Sequence, residues 1–114
     1  MKVNLSYLED ITGGDTTVII EMLDLFIQDI PKHTSNMVSF FQEGKLLDLA
    51  REAHMLKPTV QYVGLYQMYE DLKEIEALAR KEVKVDKISE LLDSIKTEAK
   101  TSVPALKAKR EELA

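Results

Sequence analysis

Only two histidines stand in this chain, and one of them, His54, has neighbours that narrow what it can do. In the stretch AREAHMLKPTVQYVGL, residues 50–65, Arg51 lies three positions before it and Lys57 three after. Pro58 follows at the fourth position and Gln61 at the seventh, so on a helix all four fall within two turns of the imidazole. No second histidine and no carboxylate stands three or four residues away, so the spacing of a helical metal site is missing. A nucleophilic triad would need a hydroxyl and an orienting acid in local reach, and neither is there. What remains is an imidazole between cations. Positive neighbours disfavour the protonated ring and leave it nucleophilic, and they stabilise any anion that becomes attached to it. That combination suits the acceptance of a phosphoryl group. The other histidine, His33 in IPKHTS, has no comparable setting.

The element that carries His54 is expected to be a helix from about residue 45 to residue 63. Leu46, Leu49, Ala50, Ala53, Leu56, Val60 and Val63 repeat at helical spacing and make its inner side. At about 100° per residue, His54 falls roughly 120° from the centre of that stripe, at its edge or in solvent. Asp48 and Glu52 point away from it. On the wheel alone the same facts describe an ordinary surface histidine with solvated charges beside it, so the spacing permits a phosphoryl site without requiring one.

Around this helix the chain reads as helical from end to end. A short helical segment, NLSYLEDITGG, precedes the break at Gly13 and Gly14, and Asp15 can cap the next helix. Val18, Ile19, Met22, Leu23, Phe26 and Ile30 form its apolar stripe. Pro31 fits the opening of a further helix, with Met37, Val38, Phe40 and Phe41 inward and Gly44 at its end. Leu65, Met68, Tyr69, Leu72, Ile75 and Leu78 mark the helix after the histidine helix. The connector RKEVKVDK leads to a last one with Ile88, Leu91, Leu92, Ile95 and Ala99. Pro104 should kink or interrupt it, and the polar tail KAKREELA is expected to fray from about residue 105. The fold class is therefore all-α. Short connections favour antiparallel neighbours, and residues 1–114 are expected to form one up-and-down four-helix bundle with a short additional N-terminal helix.

Composition excludes several functions. There is no cysteine, so disulfides, zinc–thiolate sites and thiol catalysis are ruled out. No apolar run approaches the roughly 20 residues of a membrane span, and MKVNLSYLED lacks the apolar core of a signal peptide. The net charge is −5. Its distribution is uneven, with 13 acidic against 6 basic side chains in residues 1–79 and 7 against 9 in residues 80–114. An acidic body of this kind argues against nucleic-acid binding. A cytoplasmic monomer without membrane or nucleic-acid partners is the expectation.

The string AHMLKPTVQYVGL resembles the signature of the histidine-containing phosphotransfer (HPt) domain, roughly A-H-x-L-K-G-x-x-x-x-h-G with h apolar. Ala53, His54, Leu56, Lys57, Val63 and Gly64 match at the family's spacing. The Gly-Gly-Asp turn, the run LFIQDIP and the EGK loop upstream follow the family as well, so the likeness covers about residues 5–80. It implies a phosphocarrier that shuttles a phosphoryl group between His54 and the aspartate of response-regulator receiver domains. It implies no kinase activity of its own, and the chain has no glycine-rich phosphate loop. The implied partners are a receiver domain and a hybrid sensor histidine kinase. The chain would hold no cofactor or metal, Mg²⁺ being supplied by the receiver. Lys57, Arg51 and Gln61 would steady the phosphoryl group or the ring. Leu47, Met55, Pro58 and Tyr62, apolar residues on the outer half of the helix, would dock the receiver. Pro58 departs from the family's glycine. A proline inside a helix costs about 3 kcal/mol relative to alanine, and Pro58 deprives the His54 carbonyl of its donor. Pro58 is expected to bend the helix outward and leave one flank of His54 open. A ring that covered the imidazole would instead make the chain a non-transferring interaction module, the alternative reading.

Overall fold

The computed structural model describes residues 3–83 and 86–114, so residues 84 and 85 in the middle of the expected connector lie outside it. The described residues form five α-helices and no strand. They are α1 (Ser6–Thr12), α2 (Thr16–Gln42), α3 (Leu46–Tyr62), α4 (Tyr66–Arg80) and α5 (Asp86–Leu113). The expected all-α bundle with a short N-terminal helix is what forms. Helix α2 packs on α3, α3 on α4, α4 on α5 and α5 back on α2, which closes a ring measuring 44 × 22 × 18 Å. α1 rests on α2.

The helix termini follow local chemistry. The Asp15 carboxylate accepts a hydrogen bond from the Val18 amide at 3.2 Å and starts α2. At the end of α2 the Lys45 amide reaches back to the Phe40 carbonyl at 2.8 Å, with Gly44 at φ +73° making the turn. Gly64 makes the same turn after α3 at φ +76°, and a Cβ there would stand 2.6 Å from the Asn4 Cβ. Only glycine lets the N-terminal segment pass so close, and the Asn4 amide donates to the Val63 carbonyl at 2.8 Å as it does so.

Two prolines behave differently from the sequence expectation. Pro31 does not open a new helix; α2 runs through it for 27 residues. Ile30, Thr34 and Met37 are all buried there, and their packing outweighs the single backbone bond lost. The Thr34 hydroxyl also donates to the Ile30 carbonyl at 2.7 Å. Pro104 likewise lies inside α5, which neither stops there nor frays. Leu106, beyond it, is fully buried. Arg110 Nε donates to Asp24 at 2.9 Å, which docks the tail on α2. No helix among the described residues is long and apolar enough to cross a membrane.

Candidate functional site

The seven apolar residues expected on the inner side of α3 are all buried. That fixes the rotation of the helix and carries His54 to its outer rim, where its side chain is 62% exposed. α3 continues through Pro58, which is itself exposed and does not cover the ring. One flank of the imidazole is therefore open, as the sequence suggests.

The other flank is held by α4. His54 Nδ1 lies 3.0 Å from Glu76 Oε2. A carboxylate only accepts, so Nδ1 carries the hydrogen, and in the neutral ring Nε2 keeps its lone pair towards solvent. Glu76 is only 8% exposed and is clasped by two cations. Lys57 Nζ sits 2.7 Å from Oε1, and Arg80 bonds Oε2 through both Nε, at 3.1 Å, and Nη2. Burial alone would raise the pKa of this carboxyl. The hydrogen bonds from Lys57 and Arg80, with the charges of Lys57 and His54, overcome that and hold it at about 2. Two cations on one carboxylate leave one positive charge in excess beside the imidazole.

The residues singled out from sequence separate into groups. Lys57 is 19% exposed and acts on Glu76, one turn from the imidazole, while Arg51 stands out in solvent and pairs with Asp48 at 3.2 Å. Gln61 is exposed further along α3 and makes no hydrogen bond to the ring; Glu76 orients it instead. Leu47, Met55 and Pro58 are exposed, and Leu47 borders a cavity of about 130 Å³ shared with Ala50, Arg51, His54 and Arg80. Tyr62 is half-buried, its ring stacked on Tyr7 of α1 at 5.8 Å and on Phe26 of α2 at 5.9 Å, so both contacts tie helices together. Gly64 serves the turn described above. His33 is turned inward, its Nδ1 on Glu52, which also accepts from Asn36.

Glu76 and Arg80 escaped the sequence reading because they lie 22 and 26 residues from His54 on another helix. A signal was present. Glu76 falls between Leu72, Ile75 and Ala79 on the buried face of α4, where a carboxylate requires partners. Asp71 is a second case, on the face turned to α5. It accepts from Gln67 at 3.0 Å and Ser94 at 3.1 Å, and it interacts with Glu98. Glu98 Oε2 is buried without a hydrogen-bond partner among the described residues. Burial first, and Asp71 second, push the Glu98 carboxyl up to about 7.

A groove of about 610 Å³ between α2 and α5, bordered by Pro31, Val38, Lys100 and Pro104, takes no residue from α3 or α4 and so stands apart from the histidine. Among the described residues no group of three or more histidines and carboxylates is placed to hold a metal ion. Compared with known families, residues 21–111 match the family model of the Hpt domain. Comparison with curated proteins and with solved structures gave no match.

Proposed function

The chain belongs to the Hpt domain family, the phosphotransfer modules of two-component systems, and from that premise we propose that His54 is its phosphoacceptor, exchanging a phosphoryl group with receiver aspartates. The observation that carries this reading is the exposed Nε2 of a ring whose Nδ1–H is fixed on Glu76. Nε2 attacks the phosphorus of a phosphoaspartate in line, through a loose transition state. The N–P bond forms as the P–O bond to the aspartate breaks, and the aspartate leaves with the electron pair. Nδ1 keeps its hydrogen throughout. The positive charge that the ring gains is met by Glu76, and the charge on the phosphoryl oxygens by the positive excess beside it. Lys57 acts by holding Glu76, and Arg51 and Gln61 reach the group from the exposed side of α3. The receiver brings the aspartate and Mg²⁺, so the chain works as a carrier and not as a kinase. Leu47, Met55 and Pro58 form the apolar rim on which the receiver docks.

The test is to incubate the purified protein with a phosphorylated receiver domain and follow phosphate on both chains, with His54→Gln alongside. Acid-labile, alkali-stable label on the wild type and none on the variant is expected. The proline in place of the family's glycine is the one feature that favours a silent interaction module. Receiver binding without label on the wild type would select that reading.

A further inference from the structure

Resting on the assignment of His54 above, we propose that the phosphoryl group, once on Nε2, is received by an anion subsite between α3 and α4 made by Arg51 and Arg80, and that Arg80 leaves Glu76 to form it. The cavity of about 130 Å³ bordered by Leu47, Ala50, Arg51, His54 and Arg80 is where the two guanidiniums and the imidazole meet. Both arginine side chains are mostly exposed, 70% for Arg51 and 59% for Arg80, so neither is walled in by packing. Lys57 is the less suitable clamp, because its ammonium is largely buried on the other oxygen of Glu76.

The exchange follows from how Glu76 Oε2 is shared. In the free protein that one oxygen accepts from His54 Nδ1 and twice from Arg80. Attack by Nε2 leaves the ring cationic with Nδ1–H still on Glu76. The bond from Nδ1 becomes charge-assisted and takes over part of what Arg80 supplied. At the same moment three phosphoryl oxygens appear at Nε2, beside the cavity that Arg80 borders. A planar guanidinium matches a pair of those oxygens better than it matches one oxygen already shared by three donors. Lys57 stays on Oε1, so Glu76 is never left buried without a cation. To do so Arg51 would give up its pair with Asp48, which lies on the exposed surface at 3.2 Å.

The experiment phosphorylates the protein with phosphoramidate, a small donor that needs no docking, and follows the lifetime of the phosphohistidine in wild type, Arg80→Gln and Arg80→Lys. ¹⁵N NMR of the His54 ring reads the tautomer of the unphosphorylated proteins. Arg80→Gln is expected to lose its phosphoryl group about tenfold faster than wild type. Arg80→Lys should fall between, and the Nδ1–H tautomer should persist in both because Lys57 still holds Glu76. Equal lifetimes on a His54 whose label is abolished by His54→Gln would overturn the subsite alone. A faster loss accompanied by a changed tautomer would also overturn it, since Arg80 would then act only by holding Glu76. Label that survives His54→Gln would overturn the assignment of His54 and the subsite together.

Discussion

The contact of α4 with α3 and its contact with α5 each enclose a buried glutamate, Glu76 on α4 and Glu98 on α5, and the two are treated in opposite ways. Towards α3, Glu76 is surrounded by Lys57, Arg80 and His54 and is held ionised, at about 2. Towards α5, Glu98 meets Asp71 and is held protonated into the neutral range, at about 7. Both are less than a tenth exposed. Burial by itself pushes each carboxyl up; Asp71 adds to that at Glu98, and only the cations around Glu76 reverse it. The ionised one stands beside His54 and holds its Nδ1. The protonated one stands between packed helices, where a charge would cost stability.

The sharpest way to break this contrast is to follow unfolding by urea across pH. Glu98 has a folded pKa above its unfolded value, so its contribution is complete below about pH 4.5 and is lost as the pH rises through about 7. Glu76 has a folded pKa below its unfolded value, so its contribution is complete above about pH 4.5 and is lost as the pH falls towards 2. Each should amount to something on the order of 3 kcal/mol. Glu98→Gln is expected to raise stability at pH 8 and to flatten the alkaline side only. Flattening of both sides would show that the two carboxyls are not independent, and flattening of neither that Glu98 is not held protonated.

A second test falls on chemistry. Glu76→Ala frees Nδ1 and leaves Lys57 without its partner, and transfer from a phosphorylated receiver should slow by about ten- to a hundredfold, the size of one lost hydrogen bond to a charged group. Glu98→Gln should leave that rate within about twofold of wild type. Stopped-flow transfer assays on both would separate the two faces. Leu47→Asp comes next: receiver affinity should fall by about tenfold, read by calorimetry, with the helical circular dichroism signal kept. The smallest effect is Arg51→Ala, whose exposed pair with Asp48 should change the free energy of unfolding by less than about 0.5 kcal/mol.

Much of this was legible in the residues. The inner stripe of α3 from Leu46 to Val63 and the outward turn of His54 follow from spacing alone, because burial of a helix is periodic and one helix can be read without its neighbours. What escaped was whatever depends on two helices at once. The continuity of α2 through Pro31 and of α5 through Pro104 is decided by packing of Thr34, Met37 and Leu106, which local propensity does not contain. Tyr62 looked outward on its own wheel, and only the arrival of Tyr7 and Phe26 half-buries it. Glu76, Asp71 and Glu98 each occupy an apolar register position. A carboxylate in such a register marks a polar contact whose partner the wheel does not name.

The closure of the ring by α5 against α2 also sets an order of assembly. During synthesis α2 meets α3 first, then α3 meets α4, while the side of α2 that carries Thr34 and Val38 waits for the last helix. At the usual pace of about 5–20 residues per second, that side stays uncovered for several seconds after α2 itself is made. A nascent chain arrested before residue 86 would display it.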